Sequence, residues 1–217
     1  MKKALFLSLI FFGSFLSADA LMNAVLSDDR DPKNVLRDDA RNPYETLSFF
    51  KITDEMEVIE LSPGGGWYTE ILANYLYKSG GLIAAHFDED TTSNFLKKIR
   101  KNFEKKMNSN SIYQNVEIVD LSSELSEPNS VDAVLTFRNL HNWLGPMMDN
   151  IFANSYEALK PGGIFGVVEH RAKPGTSLQE MKRTGYVTEQ YAVEEAEKHG
   201  FILFAKSEIN ANSKDTK

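Results

Sequence analysis

The chain has 217 residues, with 24 Lys or Arg against 31 Asp or Glu, a net charge of −7 and no cysteine. That length suffices for one α/β domain with its own core. An acidic chain without a long basic run is a poor nucleic-acid binder, and without cysteine there are no disulfides to reinforce the fold.

Residues 1–20 read as a secretory signal peptide. Lys2 and Lys3 form a basic start, Ala4 to Leu16 is an apolar run of thirteen residues, and Ala18-Asp19-Ala20 is a small-x-small cleavage site. Thirteen residues are too few to span a bilayer as a helix. The alternative is an uncleaved anchor. Cleavage after Ala20 removes two lysines and one aspartate, which takes the net charge from −7 to −8. The sequence therefore divides into the signal peptide 1–20, an N-terminal arm 21–42 and a domain 43–217.

Leu21 to Arg41 is polar and charged, and reads as a surface arm with a short helix from about Pro32. Pro43 to Phe50 reads as a helix with Asn42 as N-cap and Pro43 at the first position, Leu47 and Phe50 facing inward. Met56 to Leu61 is a short, mostly apolar run, expected to be a buried parallel strand. Ser62-Pro63-Gly64-Gly65-Gly66 is a turn. From Trp67 the spacing of Tyr68, Ile71, Leu72, Tyr75 and Leu76 predicts a helix that Gly80-Gly81 ends.

The second strand is Leu82 to His86. A charged helix follows from about Thr92 to Lys106, with Phe95, Leu96, Ile99 and Phe103 inward. Strands three and four are Val116 to Val119 and Val131 to Phe137. Pro146 to Leu159 is a helix with Met147, Ile151, Tyr156 and Leu159 on its inner face. The fifth strand is Ile164 to Glu169. A loop with a weak helix covers Ala172 to Arg183, a helix runs from Thr188 to His199 with Gly200 after it, and Phe201 to Ser207 reads as a sixth strand. Alternating strands and helices predict a parallel sheet covered on both faces.

A strand that feeds a glycine turn and a helix sets bare N–H groups beside the C-terminal edge of the sheet. Open α/β sheets bind nucleotide-like ligands there. Glu60 lies inside the apolar strand, where an unpaired carboxylate is costly. It either faces a ligand or caps a neighbouring helix. Leu159-Lys160-Pro161-Gly162-Gly163 precedes the fifth strand.

Together these features resemble class I S-adenosylmethionine (SAM)-dependent methyltransferases, over roughly residues 43–209. Glu60, Gly64 and Gly66 match the family's acidic-x-Gly-x-Gly-x-Gly loop, while Ser62 stands in place of its first glycine. A closer resemblance is to predicted methyltransferases carrying Leu-Ser-Pro-Gly-Gly-Gly-Trp-Tyr-Thr-Glu and Phe-Arg-Asn-x-His-Asn-Trp, the latter being Phe137 to Trp143 here. The resemblance implies a Rossmann-like α/β fold, SAM as cofactor and a small-molecule acceptor. It also implies a seventh, antiparallel strand, which residues 209–217 are too short and polar to supply.

By the same resemblance Glu60, Ser62, Gly64, Gly65 and Gly66 hold the methionine end of SAM. Asp88 is the candidate for the ribose hydroxyls, with His86 as an alternative for that place. Asp88 reads equally well as part of an N-cap cluster. Asp120 is placed for the adenine amino group, or is a turn residue. Arg138 and Asn139 hold cofactor or substrate. His141 is the candidate general base, or a histidine that orders its loop.

His86, His141 and His170 each end a different predicted strand, which would bring them to one rim. That leaves a metal site as a minor reading, because tight ligand spacings are missing. Export also leaves open an exported binding protein that keeps the fold without catalysis.

Overall fold

A computed structural model describes residues 20–215. The signal-peptide reading falls on residues that are almost all outside that range. Among the described residues, no helix is long and apolar enough to cross a membrane.

Five strands form one parallel sheet: β1 (Glu57–Leu61), β2 (Gly81–His86), β3 (Val116–Asp120), β4 (Val131–Phe137) and β5 (Leu159–Val168), in the order β3-β2-β1-β4-β5. β1 is central, with Glu60 beside Ala84 on one side and Leu135 on the other. The chain order reverses between β1 and β4, which opens a crevice at their C-terminal ends.

The helices are α1 (Pro32–Val35), α2 (Pro43–Phe49), α3 (Trp67–Leu76), α4 (Asn94–Met107), α5 (Leu140–Trp143), α6 (Pro146–Ala158), α7 (Leu178–Thr184) and α8 (Glu189–Lys198). Successive strand residues point to opposite faces, so the core divides in two. Val58, Ala84 and Leu135 pack with α2, α3 and the end of α4. Ile59, Leu61 and Val134 pack with α5 and α6. The Rossmann-like α/β class expected from the sequence is the one observed.

Several local expectations are corrected. Residues 201–208 form no strand. The Phe201 ring stacks on Phe165, 4.8 Å between centroids. Beyond it Ile202 and Phe204 are over four-fifths exposed. The segment is held by side chains and lacks the backbone ladder that makes a strand.

On α6 the inner face is Met148, Ile151, Phe152 and Ser155, and Met147 and Tyr156 point to solvent. Leu159 starts β5, pairing with Val131, so it does not end the helix. On α4, Phe95 is exposed, while Arg100, Phe103 and Met107 are buried. Asn42 makes no capping bond. It adopts a left-handed conformation and donates to the Ile209 carbonyl at 2.9 Å.

The N-terminal arm is not confined to the surface. Residues 20–25 are helical, and Leu21, Ala24 and Val25 join the core. Arg30, with its side chain fully buried, bridges Asp38 at 2.7 Å and approaches Glu70 of α3 at 3.7 Å. Glu70 also meets Lys106 at 2.5 Å and accepts from Asn34 at 2.9 Å. Such a network keeps the arm in place, since losing one partner would strand a buried charge.

Candidate functional site

The turn after β1 is the best-built feature of the rim. The Ser62 N–H extends the ladder to the Ala85 carbonyl at 2.8 Å, and Ser62 then turns left-handed, φ 50°. Gly64 and Gly66 are also left-handed, φ 59° and 79°. Only glycine adopts these angles without cost. A Cβ on Gly64 or Gly65 would meet nothing within 4 Å, so both Cα atoms face open space, whereas one on Gly66 would press the Phe103 ring.

Three side chains fix the carbonyls of the turn. Asn139 Nδ2 donates to Ser62 O at 3.2 Å, His86 Nε2 to Gly64 O at 3.1 Å, and Lys106 Nζ to Gly65 O at 2.9 Å. The N–H groups of Gly64 and Gly65 donate to no described residue. The turn thus leaves two backbone donors without a described partner beside open space, an arrangement suited to an anion.

Glu60 points up from β1 beneath this turn, 3% exposed. Its Oε2 accepts from the Thr69 hydroxyl at 2.5 Å. Burial pushes its carboxyl up to about 7; the Thr69 bond and the charges of Lys106 and Arg41 only partly oppose this. A buried carboxylate beside a glycine turn with free donors fits a zwitterionic ligand, ammonium to Glu60 and carboxylate to the N–H groups. The Ser62 hydroxyl is buried without a partner on the same turn.

The acids after β2 and β3 bind each other's loops. Asp88 accepts from Ser122 N at 3.0 Å and Ser122 Oγ at 2.7 Å. Asp120 pairs with Arg100 and accepts from Glu89 N at 3.3 Å. Asp88 caps no helix; Ser93 is the N-cap of α4. Asp88 takes one donor on each oxygen, and Asp120 takes both of its donors on Oδ1 and leaves Oδ2 open, so neither acid is closed to a hydroxyl or amino donor.

His86 is fully buried and uses both ring nitrogens. Nδ1 accepts from Phe87 N at 2.8 Å, and Nε2 donates to Gly64 O. That pattern defines the neutral Nε2–H tautomer, and burial holds its pKa below the usual histidine value. His86 therefore does not join the other two histidines at the rim. It sits on β2, on the opposite side of β1 from β4 and β5.

His141 and His170 do come together, 6.1 Å between ring centroids. His141 Nδ1 lies 3.1 Å from Glu169 Oε1, and its backbone N–H donates to Oε2 at 3.3 Å. Glu169 Oε1 also accepts from His170 N at 2.7 Å. Because a carboxylate only accepts, Nδ1 carries the proton and Nε2 is left as the basic atom. Gly185, after α7, packs over the other edge of the ring, where a Cβ would lie 3.6 Å from Cδ2.

Among the described residues, no three His, Cys, Asp or Glu side chains cluster closely enough to hold a metal ion. The sequence reading gave no part to Arg41, Thr69 or Lys106, and it did not pair Glu169 with His141. Those roles arise from contacts across the fold, and only the Glu169-His170 adjacency gave a local hint.

A family model described as a methyltransferase domain matches residues 59–167, just over half of the chain. The chain belongs to that methyltransferase domain family. The match begins in β1 and ends in β5, so it contains the glycine turn, Asp88, Asp120 and the Arg138–His141 segment.

Solved structures agree on the fold. A SAM-dependent methyltransferase from Aquifex aeolicus superposes with a TM-score of 0.60 at 16% identity, covering 84% of this chain and 87% of that one. A candidate methyltransferase from Bacillus halodurans gives 0.55 at 17% identity, covering 76% and 71%. An arsenic(III) S-adenosylmethionine methyltransferase from Chlamydomonas reinhardtii gives 0.53 at 14% identity, covering 83% of this chain and 61% of that longer protein. No curated protein matches the sequence.

Proposed function

We propose that this methyltransferase uses S-adenosyl-L-methionine to methylate a small-molecule acceptor. SAM is the cofactor that goes with the family and the fold. The observation that carries the reading is the turn itself: free Gly64 and Gly65 N–H groups above the buried Glu60 carboxylate. Glu60, Ser62, Gly64, Gly65 and Gly66 would hold the methionine end, Asp88 the ribose and Asp120 the adenine. When bound, SAM supplies an electrophilic methyl group on a sulfonium centre.

The chain's own residues do the rest. Asn139 bonds Ser62 O, Thr136 Oγ1 and Phe137 O, which locks the end of β4 against the cofactor turn. Glu169 holds His141 with Nε2 free to take a proton from the acceptor. Arg138 would hold cofactor or substrate.

A thermal shift with SAM and S-adenosylhomocysteine tests the reading. A ligand at a hundred times its Kd should stabilise by about 2.7 kcal/mol. No shift with either would sink it and favour the second reading, an exported binding protein without catalysis. That second reading rests on the signal-peptide reading of residues 1–20, because SAM is made inside the cell. Export belongs to the same proposal. Intact mass from the producing cell should show a chain starting at Leu21, and a chain retaining Met1 to Ala20 would refute it.

A further inference from the structure

Two arginines at this rim have no counter-ion among the described residues. Arg41 closes the N-terminal arm with its guanidinium 4.7 Å from the Trp67 ring centroid, and its Nε is buried without a partner. The Arg41 carbonyl accepts from the Tyr68 hydroxyl at 3.3 Å. The Tyr68 ring stacks on Phe137, 3.4 Å between centroids and 13° between planes. Arg138 follows Phe137 directly. It is left-handed, φ 65°, and its N–H is tied to Val168 O at 2.7 Å. A bulky residue persists at such an angle only when its surroundings hold it there, and this strain gathers at functional positions.

The charges of both arginines reach the Tyr68 hydroxyl of this stack, and they repel each other. Burial first, then the charges of Arg37 and Arg138, push Arg41 down to about 10. The nearby carboxylate, Glu60, is turned to Thr69 and does not pair with either. Guanidinium groups are the side chains best shaped for a planar, two-oxygen anion. The cofactor's own carboxylate has its donors elsewhere, at Gly64 and Gly65. Beyond Arg138 lie His170 and the His141–Glu169 pair.

We propose that Arg41 and Arg138 form the anion subsite of the methyl acceptor, so that the acceptor is a small carboxylate laid along the Tyr68–Phe137 stack with its reacting atom toward His141. This rests on the methyltransferase reading above. It explains why the N-terminal arm is fastened to α3: the arm delivers half of the acceptor site.

The test uses the purified protein with S-adenosylhomocysteine, with 5′-methylthioadenosine as its carboxylate-free analogue, and with acetate, succinate and benzoate against their neutral amides. With S-adenosylhomocysteine present, at least one carboxylate should raise the melting temperature while its amide does not. Arg138→Gln should weaken that carboxylate about tenfold or more and leave S-adenosylhomocysteine affinity within about twofold. Arg41→Gln should do the same if circular dichroism shows that the arm stays folded; Arg138→Gln carries the test if it does not.

Loss of S-adenosylhomocysteine binding in Arg138→Gln, with methylthioadenosine binding intact, overturns the proposal and gives the pair to the cofactor. A protein that binds S-adenosylhomocysteine but responds to none of the carboxylates overturns it too. A protein that binds neither nucleoside fails the methyltransferase reading, and the subsite falls with it.

Discussion

The His86 imidazole, at the end of β2, donates to the Gly64 carbonyl at 3.1 Å, while the Gly64 N–H donates to no described residue. A histidine at a sheet rim invites an acid–base or metal assignment, but both nitrogens of this one are occupied by backbone. Its function is to shape the turn. His86→Ala should cost about 2–4 kcal/mol in urea unfolding, through a cavity and an unpaired carbonyl. The pH sign follows from its depressed pKa. The unfolded chain binds a proton near pH 6.5 that the folded chain does not, so this stability is complete above that pH and falls as the pH drops below it. Unfolding followed from pH 8 to 5 should show a drop in the native protein that is smaller in His86→Ala.

Gly64 is left-handed and opens to free space, so a side chain there would strain the backbone and stand where a ligand must approach. Gly64→Val should cost about 1–3 kcal/mol of stability and abolish SAM binding. The turn should survive, because Asn139, His86 and Lys106 still fix its carbonyls. Calorimetric titration checks this. Unchanged SAM affinity in the variant would mean that the turn is only a connection.

The site was legible where chemistry is local in sequence. The apolar run into Gly64-Gly65-Gly66 gave the strand, the turn and the helix, and Glu60 stood out as a carboxylate inside a strand. It was not legible where the partner lies far along the chain. Nothing near Arg41 says that it reaches Trp67 of α3, and nothing near His86 says that both its nitrogens are taken. On α6, one step along the helix separates Met147 from Met148, and apolarity alone cannot choose between them. Phe201 to Ser207 reads as a strand along the chain, but a strand also needs a neighbouring edge to pair with, and that is a property of the sheet.

Glu60 makes stability and binding respond oppositely to pH. Its folded pKa is raised to about 7 from a reference of 4.5. The folded state therefore binds the extra proton between those values, and the benefit is complete below about 4.5 and lost as the pH rises through about 7. Glu60→Gln has no charge to desolvate. Its stability relative to the native protein should grow by up to about 3 kcal/mol between pH 5 and pH 8. SAM binding goes the other way, since an ammonium needs the ionised form. Affinity should rise about tenfold per pH unit up to pH 7 in the native protein and stay flat in Glu60→Gln. Parallel pH profiles for the two proteins would place the ammonium elsewhere.

The pairing of His141 with Glu169 makes a claim that needs no acceptor to check. Nδ1 faces a carboxylate that can only accept, so the neutral ring must carry its proton on Nδ1 and leave Nε2 bare. Long-range proton–nitrogen NMR above pH 8 should show the Nδ1–H tautomer for His141 and the Nε2–H tautomer for His86, two opposite signatures in one spectrum. Glu169→Gln presents an amide that can also donate, and the His141 preference should weaken or reverse while His86 is unmoved. If His141 is the base, His141→Ala should lower turnover by about 10²–10⁴-fold with SAM affinity nearly unchanged. Glu169→Gln should lower kcat by a smaller factor without raising the KM for SAM. A histidine that merely orders its loop would behave differently: His141→Ala would weaken SAM binding and thermal stability together, and the Nδ1–H signature would have no catalytic consequence.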